Sequence, residues 1–498
     1  MTQNIYGIIL KDLKSTITVQ YNIEQKFVLT GRYFIDGLIV NGGKMERKIA
    51  RILCLLLIVS LALISMMAFA DAGSNMEVHM PYERFSIIEA SEPDIPEYPF
   101  RDDHTLAEGE GGIKRFDEWW NAKFRQQTAD VPDPDEVRSF TRRTASALFA
   151  NVGDANILYS PINIWFYLDL LSNLTAGNSR AQILRALGVD TVSAEDALYK
   201  ALYWDDGRTV WRPASSIWID QRVHLTEALA EALAANHHAS VFQGPMGGDG
   251  YDEALRAWLN EQTNGLLKDL ISDLGFDRQT GISLCTSLYL RCPWSLPFDK
   301  DATYRDVFYS PDGETTAEFM RKEESGGTVY RGNGFSSVML DLQDGGYVTL
   351  ILPDPDRSIE DTLRSDGLFD FLFARREWPN AKNGRIKLSL PKLDIMAAMP
   401  LQETLARMDV TDVFDPEKAE FSSDISSDDR LVLSSVEQYS RLIMNEDGVE
   451  AASIIVSDAM ALRIASEDEI EFILNRPFLF SVFSETNIPL FIGVYNTP

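Results

Sequence analysis

Apolar residues recur every three or four positions in several parts of the chain, which is the spacing of one face of a helix. In residues 251–270, for example, Leu255 and Leu259 lie one helical turn apart. Residues 139–150 and 175–187 show the same period. The pattern therefore predicts helices over these three stretches.

Two other stretches have the pattern of strands. Residues 282–292 are apolar on both faces, as is typical of a strand inside a sheet. Within residues 446–466, positions 449–460 alternate so that one face carries only small or apolar side chains, namely Val449, Ala451, Ser453, Ile455, Ser457 and Ala459. The two charged residues among positions 449–460, Glu450 and Asp458, fall on the other face. Yet a turn signal precedes this stretch and acidic residues follow it, so it is predicted to be a loop with the sequence of a strand.

The N-terminal part predicts a secretory signal that begins at Met45. A basic region follows this methionine, an apolar run covers residues 52–67, and Ala68 and Ala70 form a small-residue cleavage site. We therefore expect translation to begin at Met45 and residues 1–44 to be a mis-assigned or unstructured leader. A genuine extension and an uncleaved membrane anchor are the alternatives, because residues 52–70 are about long enough to span a bilayer.

Residues 71–136 contain seventeen acidic residues, six basic residues and six prolines, which is typical of a linker. Within this segment Phe116, Trp119, Trp120 and Phe124 recur at helical spacing. We expect a short amphipathic helix that docks on the body of the protein. A helix that binds a partner is the alternative.

Charge and motifs exclude several classes of function. The net charge of −29 argues against nucleic acid and anionic membranes as partners. The sequence has no Gly-x-Ser-x-Gly, phosphate loop, Cys-x-x-Cys or His-Glu-x-x-His motif, so nothing points to an enzyme or a cofactor. Adjacent His237 and His238 would point in different directions, which makes a metal site improbable. Cys285 and Cys292 would lie roughly 23 Å apart on opposite faces of a strand and cannot pair with each other.

Three segments resemble one family. Residues 446–452, EDGVEAA, resemble the hinge of the reactive-centre loop of serpins. Residues 475–480, NRPFLF, resemble the family's C-terminal strands, and residues 156–164, NILYSPINI, resemble its buried strand and second helix. The resemblance covers residues 137–498. It implies an α+β fold with three β-sheets, about nine helices and an exposed reactive-centre loop.

The resemblance also implies a function. Serpins are suicide substrates of serine proteases, and sometimes of cysteine proteases: the loop is cleaved, the acyl-enzyme is trapped, and the loop inserts into the central sheet. The implied hinge residues are Glu446, Gly448, Val449, Glu450, Ala451, Ala452 and Ser453. The implied shutter and breach residues, which line the place where the sheet parts, are Ser160, Asn163, Thr286, Trp294 and Gln438. A non-inhibitory binding or structural serpin is the alternative, and we expect a secreted monomer, or a membrane-anchored one if the signal is retained.

The chain departs from the family at several of these positions. Val449 stands where Thr or Ser is usual, and the bulky Ile454 and Ile455 stand where Ala or Thr is usual. Thr286 and Gln438 replace an Asn and a His that commonly hydrogen-bond across the closed sheet. A Thr hydroxyl and a Gln amide can also bond to each other, so we expect that contact to be kept.

The length of the hinge predicts the reactive bond. Counting about fourteen residues from Gly448, as in serpins, reaches Leu462, whereas counting back about eleven residues from Pro477 reaches Ser466. We prefer the hinge count, because insertion requires a fixed length on that side. Leu462 favours a chymotrypsin-like or elastase-like target, and Arg463 makes a trypsin-like protease the second candidate.

Overall fold

The computed structural model describes residues 80–100, 110–127, 134–149, 153–190, 195–343, 345–433, 436–449 and 468–498, with the backbone of three strands near the N-terminus. The chain divides into two units, Met1–Val78 and His79–Pro498. In the first unit, β1 (Gly7–Ile8), β2 (Ile17–Asn22) and β3 (Lys26–Leu29) form an antiparallel sheet. The rest of the fold belongs to the second unit.

Ten α-helices occur in the described residues of the second unit. They are α1 (Glu110–Gln127), α2 (Pro134–Leu148), α3 (Pro161–Leu174), α4 (Gly177–Leu187), α5 (Glu195–Leu202), α6 (Glu227–Asn236), α7 (Asp249–Gln262), α8 (Ile359–Leu363), α9 (Leu368–Phe373) and α10 (Gln402–Arg407). Three sheets accompany them, so the predicted α+β class is confirmed.

The central sheet lies between the helices. Its strands are β4 (Ser86–Ile88), β6 (Trp204–Asp205), β7 (Val210–Asp220), β9 (Ala239–Gly244), β10 (Ile282–Pro293), β16 (Leu393–Pro400), β18 (Glu437–Met444) and β19 (Gly448–Val449). Across the sheet they follow the order β16-β18-β19-β10-β7-β9-β4, with β6 paired to β7. The two-residue strand β19 thus lies between two long strands.

A second large sheet packs beside the first. Its strands are β5 (Ile157–Tyr159), β11 (Tyr304–Ser310), β12 (Gly313–Arg331), β13 (Phe335–Asp341), β14 (Tyr347–Pro353), β15 (Ala381–Pro391), β20 (Glu469–Ile473), β21 (Phe478–Phe483) and β22 (Pro489–Tyr495). They follow the order β20-β15-β12-β13-β14-β21-β22-β5, with β11 paired to β12. A two-stranded sheet pairs β8 (Val223–Leu225) with β17 (Ile425–Ser427).

The apolar patterns explain how helices cover the central sheet. Helix α3 is apolar almost all round and nearly every residue of it is buried, as expected of a helix in the core. Helix α7 buries Leu255, Trp258 and Leu259 on the opposite face of the sheet. Strand β10 is therefore covered on both sides, which accounts for its lack of a polar face.

Most predicted elements occur near their predicted places. The helix expected over residues 251–270 ends earlier, at Gln262, because Asn264 and Gly265 have φ values of +50° and +74°. Two successive left-handed residues cannot continue a right-handed helix. The amphipathic helix expected around Trp119 is α1, and Cys285 and Cys292 are not bonded to each other, as predicted.

In the part of the chain that the structure describes, no helix is both long and apolar enough to span a membrane. The predicted signal at residues 45–70 lies outside that part.

Candidate functional site

The hinge begins as a strand of the central sheet. Gly448 pairs with Pro293 of β10, and Val449 pairs with Cys292 of β10 on one side and with Met444 of β18 on the other. Val449 is buried, with 2% of its surface exposed. The chain therefore enters the sheet between β10 and β18 at their upper end, which is the end where Pro293 and Met444 lie.

The close fit at this entry requires glycine. A Cβ atom at Gly448 would collide with the backbone of Cys292 and Pro293. The turn just before it is held by Asn445, whose Oδ1 accepts hydrogen bonds from the backbone N–H groups of Asp447 at 3.0 Å and Gly448 at 3.3 Å. The predicted turn signal thus has a direct structural role.

Glu446 holds the hinge to the neighbouring elements. Its carboxylate accepts a hydrogen bond from the Thr303 hydroxyl at 2.7 Å and lies 2.9 Å from the ammonium group of Lys392. Burial favours the neutral acid, but the bonds from Thr303 and Lys392 outweigh it and hold the pKa of Glu446 below its usual value. The same contact raises the pKa of Lys392. A buried carboxylate is tolerated here because it is paired.

Trp294 closes the upper end of the sheet. It is 1% exposed, and its indole N–H donates to the carbonyl of Asn445 at 2.8 Å. Its backbone N–H donates to the carbonyl of Asp447 at 3.0 Å, and the carboxylate of Asp447 lies 2.7 Å from Lys300. These bonds attach the turn before the hinge to the end of β10.

The N-terminus of α3 holds β18. Ser160 caps this helix, with its hydroxyl accepting from the N–H of Asn163. The amide of Gln438 makes two bonds to the backbone of Ser160: it accepts from the Ser160 N–H and donates to the Ser160 carbonyl, each at 3.0 Å. Gln438 and Ser160 are 5% and 1% exposed, so both bonds are shielded from water.

The same helix end holds β10. The Thr286 hydroxyl donates to the carbonyl of Asn163 at 3.3 Å, and the Asn163 amide donates to the carbonyl of Thr286 at 3.2 Å. The expected direct bond between Thr286 and Gln438 is not among the hydrogen bonds of these two described residues. The side chains of Thr286 and Gln438 instead bond to the N-terminal end of α3. In the sheet order β19 lies between β10 and β18, so these two strands are not paired with each other.

A cavity of about 330 Å³ lies between β10 and β18 below the hinge. Its lining combines residues predicted to form the shutter with side chains of α7 and β10: Asn163, Leu255, Leu259, Cys285, Thr286 and Gln438. A second cavity of about 390 Å³ continues at the lower end of β10 and shares Ile282, Leu284 and Leu433 with the first. Burial raises the pKa of the Cys285 thiol to about 12, so this thiol stays protonated.

Several predicted site residues lie outside the described residues. These are Glu450, Ala451, Ala452, Ser453, Leu462 and Arg463. Conversely, sequence reasoning did not identify Lys392, Thr303 or Lys300 as partners of the hinge. No local pattern marks them, because each comes from an element distant in sequence.

The two histidines have separate partners. His237 Nδ1 lies 2.8 Å from Asp169, and His238 Nε2 lies 2.9 Å from Asp196. Within the described residues, no group of three or more His, Cys, Asp or Glu side chains could hold a metal ion.

Comparison with known proteins identifies the family. The family model described as Serpin (serine protease inhibitor) matches residues 135–498. The chain is a serpin. Alpha-1-antiproteinase S of Cavia porcellus is 27% identical over 381 residues, which cover 73% of this chain and 90% of the relative. Plasminogen activator inhibitor 1 of Neovison vison is 27% identical over 372 residues, 69% of this chain and 88% of the relative.

Solved serpin structures have the same fold. The thermophilic serpin tengpin in its native state superposes with a TM-score of 0.64 at 23% identity, covering 74% of this chain and 95% of tengpin. Serpins inhibit proteases rather than catalyse reactions, which agrees with the lack of enzyme motifs. The residues that the resemblance predicts for the breach, Glu446, Gly448 and Trp294, lie together at the upper end of the sheet, and those predicted for the shutter, Thr286 and Gln438, lie at the end of α3.

Proposed function

We propose that this serpin is an irreversible suicide-substrate inhibitor of serine endopeptidases. The observation that carries the proposal is the position of Gly448 and Val449, which begin a strand between β10 and β18 above a cavity. Cleavage of the loop would free the residues that follow Val449, and these residues could then continue the strand. The acyl-linked protease would then be carried along the sheet before water releases it.

The register of the hinge supports insertion of the following residues. If the pairing of Val449 with Cys292 continues, residues 450–459 fall opposite β10 down to Ile282. The small side chains Ala451 and Ser453 then lie on the same face as Val449, towards the core. Glu450 falls opposite Arg291 on the other face, where the opposite charges attract. This is the parity that the sequence predicts for a buried strand.

Insertion would be strongly favourable. A strand of some dozen residues paired on both sides gains on the order of 10–20 kcal/mol, at roughly 0.5–1.5 kcal/mol for each hydrogen bond. This gain is comparable to the whole stability of a domain, about 5–15 kcal/mol. The uncleaved form is therefore metastable, and a kinetic barrier maintains it.

We propose a target of chymotrypsin-like or elastase-like preference. The hinge count from Gly448 reaches Leu462, whose apolar side chain suits an apolar specificity pocket. Arg463 makes a trypsin-like protease the second candidate. The net charge of −29 argues against nucleic acid as a partner, and the predicted signal at residues 45–70 supports secretion.

A non-inhibitory serpin is the second candidate, and one observation favours it. If the register of Val449 continued, Ile455 would lie opposite both Thr286 of β10 and Gln438 of β18. Both strands are bonded there to the end of α3, so this is where the sheet is clamped. A bulky side chain at this point slows insertion, and a slow serpin is cleaved as a substrate.

The test mixes the purified protein with chymotrypsin, elastase and trypsin separately, followed by denaturing gels and sequencing of new N-termini. We expect a denaturant-resistant band at the summed mass, with cleavage after Leu462. Cleavage after Arg463 by trypsin would instead select the second protease class. Cleavage in the loop without a covalent complex would contradict inhibition and support the non-inhibitory candidate.

A further inference from the structure

The segment before the serpin domain forms part of the central sheet. Residues 80–100, here called the strap, lie outside the family match at residues 135–498. Within the strap, β4 (Ser86–Ile88) pairs antiparallel with β9 and becomes the outermost strand of the sheet. Just after it, the N–H of Ala90 donates to the hydroxyl of Ser240 at 3.1 Å. The acidic, proline-containing composition predicted a linker and gave no signal for this strand.

The first half of the strap holds α7. Tyr82 is 9% exposed, its ring packs edge-on against Phe242, and its hydroxyl donates to the carboxylate of Glu261 in the last turn of α7. The ring of Phe85 packs edge-on against Tyr251 with 4.9 Å between centroids. The strap therefore contacts both the first and the last turn of this helix.

The second half of the strap is anchored near the upper end of β7. The N–H of Tyr98 donates to the carbonyl of Asp206 at 2.8 Å. Glu92 accepts a hydrogen bond from the Tyr203 hydroxyl at 2.7 Å, and the guanidinium of Arg208 lies over the Tyr98 ring at 4.6 Å. The contacts of Tyr98 and Glu92 thus attach the strap to elements on the β10 side of the gap between β10 and β18.

Helix α7 covers the gap that an inserting strand must enter. Leu255, Leu259 and Leu267 line the cavity between β10 and β18. On the far side of the gap, Arg441 of β18 donates to the carbonyl of Leu266 at 3.3 Å. A strand that enters beneath α7 must therefore lift this helix and the turns that follow it.

We propose that the strap is a built-in brake on loop insertion. By pinning α7 to the edge of the central sheet, it limits how often the gap between β10 and β18 opens far enough to admit a strand. The inference rests on the proposed function, because a brake matters only if the loop inserts. It assigns a regulatory role to a segment that precedes the family domain.

The test replaces Tyr82 by Ala in the otherwise unchanged protein. Two rates are measured: amide hydrogen exchange in α7, and uptake of a labelled synthetic peptide with the sequence of residues 449–460. We expect both to rise about tenfold or more, since one aromatic contact and one charge-assisted hydrogen bond are lost. Tyr82→Phe keeps the ring and should give a smaller increase. Ile87→Ala on the same segment is the matched control, because Ile87 is 49% exposed, and it should change neither rate.

Unchanged exchange and unchanged peptide uptake in Tyr82→Ala would overturn the brake. Equal increases in Tyr82→Ala and Ile87→Ala would also overturn it, since the effect would then be a general loosening of β4. Peptide uptake requires no protease, so it is measured even if no covalent protease complex forms. Failure of the proposed function and failure of the brake are therefore separate results.

Discussion

Replacing Gln438 by Leu tests the clamp between β18 and the end of α3. Leu has nearly the same volume as Gln, so the change removes the two 3.0 Å hydrogen bonds to Ser160 and little packing. The Ser160 carbonyl still accepts the N–H of Ile164 at 3.2 Å. The Ser160 N–H, in contrast, is left buried without an acceptor.

The cost follows from these two losses. An orphaned buried N–H costs about 1–3 kcal/mol, and loss of the second bond costs about 0.5–1.5 kcal/mol, so we expect roughly 2–4 kcal/mol in total. With an unfolding entropy of about 2.1 cal/mol/K per residue over the serpin domain, a loss of about 1 kcal/mol in the free energy of unfolding lowers the unfolding midpoint by about 1.3 °C. The unfolding midpoint should therefore fall by about 3–5 °C.

Thr286→Val provides the comparison within the same clamp. It removes only the 3.3 Å bond from the Thr286 hydroxyl, because the Asn163 amide bonds to the backbone carbonyl of Thr286 and keeps its acceptor. We expect a decrease of about 1 °C, from a bond worth about 0.5–1 kcal/mol. Thr316→Val, at an exposed position of β12, should leave the midpoint unchanged.

The assay is thermal unfolding by circular dichroism at one fixed scan rate. The half-life at a fixed temperature is a second readout, because the proposed metastable form would be held by a kinetic barrier. The expected order of destabilisation is Gln438→Leu, then Thr286→Val, then Thr316→Val. If Gln438→Leu had no larger effect than Thr316→Val, the clamp on β18 would be refuted.

Three further predictions concern the hinge. Glu446→Gln should remove an acid dependence of stability. Because the folded pKa of Glu446 is lowered, the stability that this carboxylate contributes is present above its usual pKa and is lost as the pH falls through the folded pKa. Unfolding midpoints measured from pH 3 to 6 should therefore show this loss in the natural protein and not in the variant. A variant that kept the same acid dependence would show that another group causes it. Gly448→Ala should reduce the yield of covalent protease complex at least tenfold, since its Cβ meets the backbone of Cys292, and an unchanged yield on gels would contradict this reading. Ile455→Ala should raise the ratio of complex to cleaved loop; an equal ratio would show that this side chain does not slow insertion.

Much of the fold could be predicted from local patterns. The helical spacing around Leu255 and Leu259 predicts α7, and the lack of a polar face over residues 282–292 predicts a strand covered on both sides, as β10 is. The hinge could be predicted because residues 446–452 together resemble a short family motif, although Val449 departs from it. Local patterns succeed here because the period of apolar residues follows directly from backbone geometry.

The partners of the site could not be predicted in the same way. The bond that we expected between Thr286 and Gln438 is replaced by two separate sets of bonds to α3, and nothing in either residue indicates that choice. The strap was missed because β4 has only three residues and an acidic, proline-containing neighbourhood. Its strand forms because the edge of β9 offers unpaired backbone groups, which is a property of the assembled sheet.

The sequence by itself determines the helical and strand periods, the family, and the alternation that lets residues 449–459 bury one face. The tertiary structure decides which distant groups meet. Gln438 and Ser160 are 278 positions apart, and Glu446 meets Lys392 and Thr303 only because three separate elements end at the same corner of the sheet. Periodicity specifies which face of an element is buried, whereas a hydrogen bond between distant elements also depends on how those elements are placed against each other.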